Sequence, residues 1–177
     1  MKKEGKSFIG IFIRYLIIML VSLPGLYLFY AIFNPLTIYP VYFLLIILFN
    51  VSLQGHILLI EKIPIEIIGP CIAGSAYFLL FVLNMALPKI NIKKRILMIS
   101  LSFLTFLLIN LLRIFILSIL YISGSSWFDF THKLFWYGIS TIFVVGIWFM
   151  EVKIFNIKEI PFYSDLKYIY KKSSLKR

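Results

Sequence analysis

The sequence holds one cysteine and two histidines in 177 residues, and only seven acidic side chains against eighteen basic ones. A single thiol excludes an internal disulfide framework. One thiol with His56 and His132 also lacks the number and spacing of a zinc site, so neither a metal nor a cofactor is expected. No internal repeat, low-complexity tract or second domain is visible, and residues 1–177 read as a single membrane domain. What the chain has in abundance is apolar. It is 62% hydrophobic, with eighteen phenylalanines, eleven tyrosines and a mean hydropathy of +0.99. That lies outside the range of a soluble globular domain and predicts a polytopic membrane protein. The net charge of +11 sits mostly in short flanks of apolar runs, where it reads as cytoplasmic anchoring to acidic headgroups and not as a nucleic-acid surface. The first apolar run is too long for a removable signal peptide and has no small-residue cleavage site.

Hydropathy divides the chain into about five expected spans at 8–33, 38–53, 70–87, 96–122 and 132–150, followed by a basic cytoplasmic tail at 151–177. Arg14 lies inside the first run, Pro24 predicts a kink there, and Asn34-Pro35 is expected to end it. Between His56 and Ile68, two short β-rich pieces flank Glu61-Lys62, the pattern of a hairpin at the membrane interface, and His56 reads as one of its residues. The expected fold is therefore an all-α helical bundle of about five transmembrane helices with a short extracytoplasmic hairpin. Lys89, Lys93, Lys94 and Arg95 in one loop, and seven basic residues after Lys153 inclusive, belong inside; the 123–131 loop, with Asp129 and no basic residue, then belongs outside. Cys71 is outside by the same logic. Lys2, Lys3 and Lys6 also favour the inside, yet two complete crossings before Cys71 would bring the cysteine inside, so the side of the N-terminus stays open.

Three reactive groups reach one depth. Arg113 is an ionisable residue within an apolar run, a functional signal by default because a buried charge costs several kcal/mol. It stands seventeen steps of about 1.5 Å above Ile96, roughly 26 Å up a ~30 Å hydrocarbon core. Cys71 stands eighteen steps from Lys89, about 27 Å from the inner face. His132 follows the outer loop directly. Pro70 suits a helix start, and a thiol in a first helical turn meets unpaired N–H groups that favour the thiolate. Ala73, Gly74, Ser75 and Ala76 leave room for a close neighbour or a substrate. Asn110, one turn from Arg113, is placed to orient the guanidinium or a substrate carbonyl, and Asp129 is placed to orient His132. Each residue also has a plainer role: Cys71 as a small buried hydrophobe, Arg113 snorkelling to a headgroup, His132 at an interface, Asn110 as interhelical glue. Convergence of three such residues on one layer favours a shared site. The chemistry is acyl transfer, with Cys71 as nucleophile, His132 as base and acid, and Arg113 stabilising the oxyanion. A non-catalytic small membrane protein, such as a transporter subunit or assembly scaffold, and a thiol protease that only hydrolyses are the alternatives.

Pro70-Cys-Ile-Ala-Gly-Ser-Ala-Tyr-Phe-Leu-Leu, Asn110-Leu-Leu-Arg113-Ile and His132 ahead of the last helix resemble the exosortase/archaeosortase family, nearest its small archaeal pacearchaeosortase-like branch. The resemblance covers roughly residues 56–150. It implies an archaeal multi-pass cell-membrane cysteine transpeptidase acting at the extracytoplasmic face. Its partners would be exported proteins ending in a short motif, a transmembrane helix and a basic cluster, and a membrane lipid or other anchor would accept the product. By position the resemblance makes Cys71 the nucleophile, Arg113 the transition-state stabiliser and His132 the base. Many family members carry Cys-Ser/Thr-Gly where this chain has Cys71-Ile72-Ala73-Gly74, so substrate preference does not carry over.

Overall fold

Pro24 and Gly25, and not Asn34-Pro35, interrupt the first apolar stretch. In the computed structural model, which describes residues 2–135, 138 and 140–174, α1 spans Lys2–Ser22 and α2 spans Tyr27–Ile46. Gly25 takes φ +60° and its N–H closes onto the Ser22 carbonyl at 2.9 Å, the left-handed stop that glycine makes easily. Pro35 and Pro40 stay inside α2. The expected spans 8–33 and 38–53 are thus corrected to two helices with a break at residues 23–26. They also advance in the same sense. Arg14 Nη1 donates to the Ala86 carbonyl at 3.0 Å, at the far end of the helix Gly74–Ala86. Phe29 then meets Phe78 and Phe81, and Phe33 stacks on Tyr77. In chain order these contacts climb that helix from its last residue, so α1 and α2 run along it in the same sense.

Three short antiparallel strands follow: β1 (Val51–Gln54), β2 (Ile57–Ile60) and β3 (Ile63–Glu66), in the order β1-β2-β3. The all-α expectation is corrected by this small sheet, and residues 51–53 of the expected second span are strand. Glu61 and Lys62 both have positive φ, 48° and 75°, as a two-residue type I′ turn requires. His56 sits beside Gly55 in the β1–β2 turn and is exposed.

The remaining helices are α3 (Gly69–Ile72), α4 (Gly74–Ala86), α5 (Ile92–Ile122), α6 (Trp127–Leu134), α7 (Ser140–Ile154) and α8 (Tyr163–Ser174). Asn91 caps α5 by accepting the Lys93 N–H, and Gly124 ends it through a bond from Ser125 N–H to the Leu120 carbonyl. The expected 132–150 span resolves into the end of α6 and most of α7, with residues 136, 137 and 139 outside the described set. Tyr27–Ile46, Gly69–Ala86 and Ile92–Ile122 are long and apolar enough to cross a membrane, and Ile9–Ser22 is a shorter apolar helix.

α5 explains the inverted pattern of such a protein. Leu104, Leu108 and Leu112, one side of the helix, are 55%, 58% and 58% exposed, while Ser102, Asn110 and Arg113 face inward. Two further polar groups correct the sequence reading. Arg95, expected in a loop, lies in α5 and caps the end of α4 through the carbonyls of Asn84, Met85 and Leu87. Glu151, expected in the tail, is fully buried in α7 and accepts from Asn84 Nδ2 at 3.1 Å; that amide also lies 3.3 Å from Ser102 Oγ. The tail itself is partly docked: Asp165 on α8 accepts two bonds from Arg14 Nη2 at 2.8 and 2.9 Å. Asp165→Asn should therefore lower stability in detergent by about 2 kcal/mol, visible as a drop in Tm, since one of two charge-assisted bonds goes. An unchanged Tm would show the clamp to be dispensable.

Candidate active site

A sharp bend in the backbone presents Cys71. Ile68 is extended, Pro70 fits the start of α3, and Ala73 adopts φ 57°, ψ 44°, which divides α3 from α4 two residues after the cysteine. A left-handed non-glycine residue costs about 1 kcal/mol or more, so the surroundings must hold it. This corrects the expected first-turn environment: Cys71 N–H donates to the Ile68 carbonyl at 2.8 Å, and α3 is a single turn. Gly74 opens α4 because the Tyr30 ring presses there; a Cβ would meet it at 3.0 Å. Gly74→Ala should push Tyr30 aside and cost about 1 kcal/mol, again read as Tm. A neutral result would mean that Tyr30 swings away freely.

From Cys71 a polar chain runs across three elements. Asn110 Nδ2 donates to the Cys71 carbonyl at 2.8 Å. Asn110 Oδ1 faces Arg113 Nη1 at 3.5 Å, a long and weak contact. The same Nη1 donates to Ser140 Oγ at 3.3 Å, and Ser140 in turn donates to the Phe135 carbonyl at 2.6 Å. The guanidinium carbon lies 5.9 Å from the Phe135 ring centre, a cation–π distance. One N–H of the Asn110 amide is therefore committed to backbone, and its carbonyl oxygen faces the guanidinium. Arg113 is buried, and among the described residues its Nε is a buried donor with no hydrogen-bond partner.

Cys71, Arg113 and His132 line one cavity of about 210 Å³. They come from α3, α5 and α6. Most of the remaining lining is apolar, from α5 and from residues 64–67. His132 is half-buried, its ring stacked on Phe128 at 5.4 Å and 7°. Asp129 is exposed on α6 and outside the lining, as is His56 at its turn. Arg113 also lines a second cavity of about 410 Å³, shared with Tyr30, Ser75, Ser140 and Thr141. Among the described residues no cluster of three metal-ligating side chains occurs.

Sequence reasoning missed Ser140, although a Ser-Thr pair in an apolar run is a readable signal. It also missed that β3 walls the cavity, which depends on how the sheet packs. A thiol, an imidazole and a guanidinium around one small cavity are the group types that acyl transfer uses. No family model, curated protein or solved structure matches the chain.

Proposed function

We propose that the chain is a sortase-like membrane cysteine transpeptidase, and that Cys71, Arg113 and His132 are its reactive groups. The observation that carries this is their meeting at one cavity, although 42 and 19 positions separate them in sequence. In the reaction, His132 takes the Cys71 thiol proton as the sulfur attacks the scissile carbonyl carbon. Arg113 stabilises the oxyanion, and its orphaned Nε–H is the kind of buried donor that a developing negative charge satisfies. The intermediate collapses by breaking the C–N bond, His132 gives its proton to the leaving amine, and a thioester remains. An amine or hydroxyl of the acceptor, deprotonated by His132, attacks the thioester and releases the thiol.

The partners are exported proteins with a C-terminal motif, apolar helix and basic cluster, and the acceptor is a membrane lipid or comparable anchor. Taken as one passage, α1 and α2 put the start of the chain on the side its lysines favour. The described helices then make four passages, α1–α2, α3–α4, α5 and α7, in place of the five first expected. This reading puts the start of α1, the 88–91 loop and α8 inside and the sheet, Cys71 and α6 at the extracytoplasmic face, the arrangement that the distribution of basic residues favours.

The test compares exported proteins from cells carrying the wild-type chain and Cys71→Ser. Mass spectrometry of their mature C-termini should find a subset, cleaved and joined to an anchor, that keeps its apolar helix in the mutant. If every exported C-terminus is unchanged, the protein is not catalytic; a free carboxylate on the products would make it a hydrolase.

A further inference from the structure

The cavity beside Cys71 is a slot along the unpaired edge of β3. We infer that this edge binds the substrate as an added β-strand, given the acyl-transfer role proposed above. β3 is at the border of the sheet, bonded to β2 alone. Four consecutive residues, Pro64, Ile65, Glu66 and Ile67, line the cavity. Side chains alternate between the two faces of a strand, so a cavity against one face would touch every second residue. Contact with four in a row means that the cavity meets the strand from its edge.

Register fixes which main-chain groups face outward. The two-residue Glu61-Lys62 turn makes Ile60 and Ile63 a hydrogen-bonded pair, and the antiparallel alternation makes Leu58 and Ile65 the next one. The bond from Ile67 N–H to the His56 carbonyl at 2.9 Å continues the same phase. Pro64 and Glu66 therefore point away from β2. They offer two carbonyls and one N–H, that of Glu66; Pro64 has none to leave unpaired, as suits an edge position. Across the slot stands one face of α5, with Ile114, Leu117 and Tyr121. Residues 64–67 extend about 10 Å at ~3.3 Å per residue, and Arg113 to Tyr121 covers about 12 Å. A volume near 210 Å³ is below that of pockets enclosing a whole small molecule. It suits an extended peptide of three or so residues, its scissile carbonyl at Cys71 and its outer side chains free. Main-chain pairing supplies affinity in this mode, and alternate side chains supply specificity.

The test uses a reporter ending in the C-terminal segment of an exported protein whose processing depends on Cys71. Glu66→Pro removes the outward N–H and leaves the β2 ladder intact; Glu66→Ala removes only the carboxylate. Processing should be about tenfold slower in Glu66→Pro than in Glu66→Ala, the effect of one lost hydrogen bond. Equal rates in the two variants, whether both fast or both slow, would overturn the inference while leaving Cys71 chemistry standing. A second measurement leaves the enzyme untouched, in case Glu66→Pro accumulates poorly. Proline is placed in turn at each reporter position flanking the scissile bond mapped by mass spectrometry. Processing should be lost at every second position, and uniform sensitivity or none would overturn the inference. If no exported segment depends on Cys71, the enzymatic proposal fails first and the strand-binding one falls with it.

Discussion

Cys71→Ala should stop processing of the exported substrates, and adding His132→Ala to it should lower the rate no further. In the proposed reaction the sulfur forms the bond that defines the intermediate, and the sequence holds no second thiol to replace it. His132→Ala alone should reduce processing by about 10²–10⁴-fold, the usual worth of a positioned acid–base group. Groups that act as one unit are strongly non-additive, since removing the base matters little once the nucleophile is absent. Processing rates of the two single variants and the double variant, at matched protein levels, check this. Additive losses would mean that His132 contributes through folding or binding, separately from the thiol.

Arg113→Lys should reduce processing by about 10²–10³-fold at near-normal protein abundance, the loss expected when one oxyanion donor is removed. The guanidinium is a planar fork that bonds Ser140 at 3.3 Å, reaches the Asn110 carbonyl oxygen at 3.5 Å and lies over Phe135, while its Nε–H has no partner among the described residues. A lysine ammonium keeps the charge and loses that fixed geometry. Wild-type rates in the variant would reduce Arg113 to a structural cation between α5 and α7. Ser140→Ala, which removes a contact to Nη1 without touching the slot, should have a smaller effect in the same assay.

The residues legible in the sequence were those whose cost makes them rare in an apolar run. Arg113 and the lone Cys71 stood out for that reason, and counting residues along the spans brought them and His132 to one level. Features set by tertiary contact were not legible. Arg95 belongs to a charged cluster in sequence, and only the fold shows it capping the carbonyls that end α4. Glu151 adjoins the charged tail in sequence, and only the fold puts the Asn84 amide beside it. Pro35 is a stop signal in water, yet α2 carries it and Pro40 without interruption, whereas Gly25 takes the positive φ that a true break needs. Nothing in the sequence marks Ala73 for the left-handed conformation that divides α3 from α4 after Cys71, which a non-glycine residue adopts only when its neighbours impose it. The edge of β3 needed the sheet register, which a run of four residues does not specify.

The most direct measurement is intact-mass spectrometry of the full-length protein in bilayer discs, mixed with its substrate segment without acceptor and quenched in acid. A covalent adduct equal in mass to the acyl part of the substrate should appear on Cys71, disappear with hydroxylamine, and be absent from Cys71→Ala. Product formation with no adduct at any time, or an adduct on another residue, would contradict a thioester at this cysteine.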